Sequence, residues 1–314
     1  MGEPAKILIA DKIEPVCADR LIKAGFKVDV NTGLPEDKIH DIIDGYHGLL
    51  VRSATSVTAK ILSKGSAGKL KIVGRAGAGL DNIDLKAAEG VGVKVVNTPG
   101  LNANAVAELT VALMIILSRK LWPAMESVKA GRWEKKSLSG YEIRGKTLGL
   151  LGLGHVGRLV ADKARALGRK VLAHDPIIPT EAIKEAGAEP ASFDDLFKLS
   201  DYVSLHLPKT SKTANIVGAK ALAAMKPGAY LINCARGGLV DEGALLAALT
   251  EKRLAGAATD VFAKEPPDPS PLMALPNFVA IPHLGASTEE SQLAVAEKVA
   301  ELVIDYLSGS AGAA

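Results

Sequence analysis

Cysteine is nearly absent. Cys17 and Cys234 are the only two in 314 residues, too few for a disulfide framework, which points to a reducing compartment. An excess of one charge sign is also missing. Lys and Arg total 38 against 35 Asp and Glu, a net charge of +3 with no dense basic run, so nucleic acid is not expected as the main partner. No apolar run is long enough to span a bilayer; the most apolar stretch, 103–117, is interrupted by Glu108 and Thr110. It reads as a helix buried between layers or domains. The N-terminal Met1-Gly2-Glu3-Pro4-Ala5-Lys6 lacks an apolar signal-peptide stretch, and Lys6 stands where a myristoylation signal needs Ser or Thr. His40, His47, His155, His174, His206 and His283 show no ligand spacing such as HExxH, so no metal is expected. These absences describe a cytoplasmic protein with no membrane partner.

The length accommodates two domains, and 48% apolar residues supply their cores. Short β-branched runs alternate with stretches of helical period, which predicts βα units around parallel sheets. One series of strands is expected at 6–10, 27–30, 48–51, 71–74 and 93–96. A second is expected at 147–151, 170–173, 202–205, 229–233, 255–259 and 278–281. The fold class is α/β, with two doubly wound parallel-sheet domains. Between the series, residues 98–144 carry little strand signal; Pro99-Gly100 breaks the chain, a helix begins near Asn102, and Trp122, Trp133 and several basic residues follow. This excursion reads either as a dimer arm or as a solvated surface hairpin. A last helix is expected over 288–307 and a frayed tail over 308–314.

Gly152-Leu153-Gly154-His155-Val156-Gly157 is a GxGxxG. Its context makes it informative: an apolar strand precedes it, a helical pattern follows, and a second strand ends at Asp175, 18 residues beyond Gly157. Gly152 permits the tight turn, Gly154 lets the backbone approach a pyrophosphate, and Gly157 lets helix and strand pack closely. The helix N-terminus offers N–H groups and positive dipole to phosphates. Asp175 can accept hydrogen bonds from ribose hydroxyls and would repel a 2′-phosphate, so NAD is expected rather than NADP.

Ligands of open α/β sheets bind beyond the carboxyl ends of the strands. The polar residues directly after the apolar runs are Arg52 and Arg75 in the first series, and Asp175, Arg236, Asp260 and His283 in the second. An imidazole titrates at about 6.5 and suits proton transfer near neutrality. Glu265 could hydrogen-bond the other nitrogen of the His283 ring, and Arg236, before Gly237-Gly238, offers a planar fork to a carboxylate.

At these residues the sequence resembles the D-isomer-specific 2-hydroxyacid dehydrogenase family, most specifically over 148–157, 233–243 and 282–288. The resemblance implies a flavodoxin-like substrate domain, 1–98 plus 286–314, and a Rossmann NAD-binding domain, 99–285, with a dimerisation arm at about 110–145. It implies that Arg236, Glu265 and His283 are catalytic: His283 takes the hydroxyl proton, Glu265 supports it, and Arg236 holds the carboxylate. His155, Val156, Leu207, Pro208, Cys234, Ala235, Asp260, Gly285 and Ala286 would join the glycines and Asp175 around the cofactor. The segments 51–55, 74–84, and 97–99 with 107–109 are most similar to those of members acting on a phosphorylated 2-hydroxy acid. On that likeness Arg52, Ser53, Arg75 and Asn102 would line the substrate pocket, and backbone N–H groups of Ala78 and Gly79 would meet the carboxylate. The cleft between the domains would hold the active site. A homodimer is expected, with a tetramer the other order.

Departures are small: Ala78 and Leu207 stand where some members carry Thr or another hydroxyl residue. Many members continue into a C-terminal regulatory domain, whereas this sequence stops at Ala314; feedback through such a domain is not expected of it. Two alternatives stay open. One is a sister activity on glyoxylate, hydroxypyruvate or D-lactate; the other is an NAD-sensing binding protein of the corepressor kind.

Overall fold

The apolar runs at 48–51, 202–205 and 229–233 become strands buried along their whole length, as the interior of a parallel sheet requires, while the edge strands stay partly exposed. The computed structural model describes residues 3–309; the tail expected at 308–314 lies outside the described residues from 310 onward. The chain opens with β1 (Lys6–Ile9), α1 (Val16–Lys23), β2 (Lys27–Val30), α2 (Glu36–Ile42), β3 (Gly48–Val51), α3 (Ala59–Ala67), β4 (Ile72–Arg75), α4 (Leu85–Gly90) and β5 (Lys94–Asn97). It continues with α5 (Ala103–Ser118), α6 (Leu121–Lys129), β6 (Thr147–Leu151), α7 (His155–Ala166), β7 (Lys170–His174), α8 (Thr180–Glu185), β8 (Glu189–Pro190) and α9 (Phe193–Leu199). Then follow β9 (Tyr202–Leu205), α10 (Ala219–Ala224), β10 (Ala229–Asn233), α11 (Glu242–Thr250), β11 (Leu254–Thr259), β12 (Phe278–Ala280) and α12 (Glu289–Leu307).

Two compact units result: Met1–Asn102 with Ser287–Ala314, and Ala103–Ala286. The divisions fall slightly later than the sequence suggests, because the turn after Pro99-Gly100 stays with β5 and the second unit begins with α5. In the first unit the sheet order is β2-β1-β3-β4-β5, all parallel, the doubly wound order with its switch point between β1 and β3. Thr58 caps α3 and Asp84 caps α4. α12 returns to this sheet with Val295, Ala296, Val299, Ala300 and Val303 buried against Ile7, Leu50 and Ile72, an apolar stripe at helical spacing.

In the second unit the order is β12-β11-β10-β9-β6-β7-β8, again all parallel, with the switch point between β6 and β9. The two-residue β8 was not legible in the sequence: it is an edge strand ending in Pro190. α5 lies in this core, with Leu113, Met114 and Leu117 buried among Leu148, Val160 and Ile232. Residues 110–118 of the expected arm are therefore core helix; exposed apolar side chains begin at Leu121 and Trp122 and include Val128 and Trp133. Buried Arg169 lies over the Tyr202 ring at 4.1 Å, and that ring stacks on Tyr230. Among the described residues no helix is long and apolar enough to cross a membrane.

Candidate active site

β6 delivers the chain into the glycine-rich turn at the switch point of the second unit. Gly152 has φ +98°, and a Cβ there would come 2.6 Å from the His206 carbonyl oxygen. A Cβ at Gly157 would come 2.5 Å from the Gly152 carbonyl oxygen. Both glycines are thus required by close backbone approach. Gly154 differs: nothing lies within 4 Å of a Cβ placed on it. It is the N-cap of α7 and supplies no side-chain cap, so open space faces the positive end of a helix. That cradle fits a dinucleotide pyrophosphate. His155 is exposed beside it, Val156 is half-buried, and the Leu207 side chain closes on Gly152, with exposed Pro208 next to it.

Asp175 holds backbone, which the sequence did not suggest. Its Oδ2 accepts the Leu153 N–H at 2.9 Å, and its Oδ1 accepts those of Ile177 at 2.9 Å and Ile178 at 3.2 Å. The carboxylate ties the glycine turn to the end of β7. A carboxylate has about four lone-pair sites, so acceptor capacity remains for ribose hydroxyls.

The three expected catalytic residues come from three strand ends of this unit. Asn233 shapes the Arg236 turn: its Oδ1 accepts the Ala235 N–H at 3.1 Å and its Nδ2 donates to the Arg236 carbonyl at 2.9 Å. The Arg236 guanidinium donates to the Ala235 carbonyl at 2.7 Å. At Gly237 a Cβ would sit 1.7 Å from the Phe262 carbonyl oxygen, so the Arg236 turn and the Glu265 loop abut backbone to backbone. Glu265 accepts the Phe262 N–H on Oε1 at 3.0 Å, and its Oε2 lies 2.6 Å from His283 Nδ1. An ionised carboxylate only accepts, so it places the ring proton on Nδ1 and leaves the lone pair on Nε2.

His283 has φ +53°, a conformation that costs a non-glycine residue and needs outside support. Asp260 supplies that support: its carbonyl accepts the His283 N–H at 2.9 Å, and its two carboxylate oxygens accept the N–H groups of Leu284 at 2.6 Å and Gly285 at 2.7 Å. Burial pushes the Asp260 carboxyl up, opposed by these two backbone donors. Gly285 lies against Asp260 Oδ2 and Val106, with half-buried Ala286 next in the chain. Cys234 is buried, and burial pushes its thiol up to about 12; it is a packing group beside half-buried Ala235.

In the first unit Arg52 and Arg75 stand at the ends of β3 and β4, which pair Val51 with Arg75. The Arg75 side chain folds over Gly77, where a Cβ would meet its guanidinium. Ala78 and Gly79 are half-buried, and Asn97 Nδ2 donates to the Ala78 carbonyl at 2.6 Å. Ser53 is exposed at the tip of the loop after β3, and Asn102 is half-buried in the turn before α5. Arg52 Nη1 donates to Gln292 Oε1 at 3.3 Å. The sequence reading missed Asp11 and Asn82, whose side chains hold the 52–55 loop. Asp11 directly follows the apolar run of β1, so the strand-end rule that selects Arg52 also selects it; Asn82 carries no comparable signal.

The family described as D-isomer specific 2-hydroxyacid dehydrogenase, NAD binding domain, matches residues 111–285. A D-3-phosphoglycerate dehydrogenase of Synechocystis sp. is 48% identical over 305 residues, 97% of this chain and 54% of its own length. The chain thus spans about half the length of the curated relatives it matches. Among solved structures, a glyoxylate reductase from Paecilomyes thermophila superposes with a TM-score of 0.90 at 30% identity, covering 99% of this chain and 97% of that one. An NAD+-bound 3-phosphoglycerate dehydrogenase of Entamoeba histolytica has a TM-score of 0.83 at 30% identity, covering 98% and 97%.

Proposed function

Because the chain belongs to the D-isomer-specific 2-hydroxyacid dehydrogenase family, we propose that it oxidises D-3-phosphoglycerate to 3-phosphohydroxypyruvate, the entry reaction of serine biosynthesis. The observation that carries the chemistry is the 2.6 Å contact between His283 Nδ1 and Glu265 Oε2, with Arg236 on the adjoining turn. The glycine turn of 152–157 and Asp175 would hold NAD, which when bound would supply the hydride acceptor. His283 Nε2 takes the hydroxyl proton as that hydride leaves, and Glu265 stabilises the imidazolium that forms. Arg236 binds the substrate carboxylate and polarises the developing carbonyl. Arg52 and Arg75 bind the phosphate, Ser53 and Asn102 line the pocket, and the N–H groups of Ala78 and Gly79 meet the carboxylate.

The name of the Synechocystis relative supports the phosphorylated substrate. The close superposition on a glyoxylate reductase favours a second reading, a sister activity on an unphosphorylated acid. We propose further that the protein is cytoplasmic and a homodimer; for the dimer, Leu121, Trp122, Met125 and Val128 expose an apolar face on α6, and Trp133 is 83% exposed beyond it, a surface suited to a second copy.

Near-ultraviolet absorbance of reduced cofactor tests the proposal, with 3-phosphoglycerate, D-glycerate and D-lactate offered in parallel with NAD. Reduction selective for the phosphorylated acid is expected. Reduction with an unphosphorylated acid alone replaces the proposal with the sister activity. NAD binding without reduction by any of them points to the NAD-sensing alternative.

A further inference from the structure

The loop after β3 is held in a way that the activity alone does not require. Asp11, at the end of β1, is 4% exposed. Its Oδ2 accepts the N–H of Arg52 at 2.6 Å and the N–H of Thr55 at 3.1 Å, and its Oδ1 accepts the Thr55 hydroxyl at 2.6 Å. Asn82, in the segment after β4, donates from Nδ2 to the carbonyls of Arg52 at 2.9 Å and Thr55 at 2.6 Å. Arg52 and Thr55 are therefore each held at the N–H by Asp11 and at the carbonyl by Asn82, and Thr55 by its hydroxyl as well. Ser53 and Ala54 are left exposed between the two grips.

The grip lies at the β1/β3 switch point, where open α/β sheets take their ligands. A buried carboxylate is unfavourable unless its lone pairs are used. Here they are used on two backbone N–H groups and one hydroxyl of the one loop that presents Arg52 and Ser53. Asn82 is itself fixed, since its carbonyl accepts the Val57 N–H at 2.7 Å and Val57 bridges to Ile83 in parallel register. A charged ligand binds more tightly to a group held in place than to one it must first order.

We propose that Asp11 and Asn82 are positioning residues that set preference for a phosphorylated substrate by fixing the backbone of Arg52, an inference that rests on Arg52 as a phosphate ligand. They touch no substrate and act through that arginine. A general structural clamp would instead weaken every substrate equally.

The test is steady-state kinetics on the full chain carrying Asp11→Asn or Asn82→Ala, each alone and combined with Arg52→Ala. The substrates are 3-phosphoglycerate and whichever unphosphorylated D-2-hydroxy acid the unaltered protein turns over. Each single variant should raise KM for the phosphorylated acid about tenfold, the scale of one or two charge-assisted hydrogen bonds, with kcat changed no more than about threefold. KM for the unphosphorylated acid should stay within about twofold, and neither change should add to the KM of Arg52→Ala, because coupled residues are not additive. Asn82 is half-buried, so Asn82→Ala carries the test if Asp11→Asn fails to fold. Equal KM rises for both substrates, or full additivity with Arg52→Ala, overturns the positioning role. An unaltered protein with no preference for the phosphorylated acid overturns the phosphate reading together with this inference, and does so before any variant is made.

Discussion

His283 Nδ1 lies 2.6 Å from Glu265 Oε2, while the other oxygen of that carboxylate accepts the Phe262 N–H at 3.0 Å. Glu265 is fixed by backbone on one side and orients the imidazole with the other. The ring is oriented twice, because Asp260 fixes the backbone of the same turn through the N–H groups of His283, Leu284 and Gly285. A proton-transfer group needs this kind of placement, since small displacements from the reacting atom lower the rate steeply.

Removing the ring should cost more than removing its partner. His283→Ala is expected to lower kcat by about a thousandfold, within the range for general acid–base catalysis, and Glu265→Gln by about tenfold. NAD affinity, measured by titrating protein fluorescence, should be nearly unchanged in both, because neither side chain belongs to the glycine turn. Undiminished turnover in His283→Ala would exclude the ring from the chemistry.

Asp175→Ala removes the acceptor for Leu153, Ile177 and Ile178 N–H groups as well as the charge proposed to meet the ribose. NAD should bind at least about tenfold more weakly, and the ratio of NAD to NADP affinity should fall toward unity. Calorimetric titration of both cofactors against both proteins measures this. A preference for NADP in the unaltered protein would contradict the role given to Asp175.

Burial pushes both thiols, Cys17 and Cys234, from an ordinary 9.0 up to about 12. The folded protein holds these protons where the unfolded chain has lost them. Their contribution to stability is fully present below 9.0 and is lost as pH rises from there toward about 12. At about pH 8 neither thiol should react with a disulfide reagent until the protein is unfolded, when both should. Prompt reaction of either in the native protein would place a thiolate at the surface. The melting temperature of the unaltered protein should also fall more steeply above pH 9.0 than that of Cys17→Ala.

Arg169 is 5% exposed, and its Nε, Nη1 and Nη2 have no hydrogen-bond partner among the described residues. Burial pulls its guanidinium down to about 10. The cation–π contact with Tyr202 contributes about 0.5–2 kcal/mol, whereas a buried unpaired polar group costs about 1–3 kcal/mol and a charged one more. Arg169→Met should therefore match or raise the melting temperature, by up to a few degrees per kcal/mol for a unit of this size. A clear fall in calorimetry would mean that the guanidinium is paired in solution.

The placement of much of the candidate site was legible because it obeys a local rule. Arg52, Arg75, Asp175, Arg236, Asp260 and His283 each end or follow an apolar run, and every one lies at the carboxyl end of a parallel strand. Asp11 obeys the same rule. Asn82 does not, because its partners Arg52 and Thr55 lie 30 and 27 residues away in the chain. The need for glycine at position 237 is equally distant in origin, since it arises from the Phe262 carbonyl.

The sequence by itself determined the alternation of strand and helix, the parallel sheets and the glycine turn with its acidic partner, because each depends on residue period or spacing within one βα unit. Only the tertiary structure decided how the lone pairs are used: that Asp175 and Asp260 hold backbone as well as charge, and that Asp11 and Asn82 share one loop. Strand order places those partners side by side, and strand order is settled by burying both faces of a sheet, a property of the whole unit that no short stretch of sequence contains.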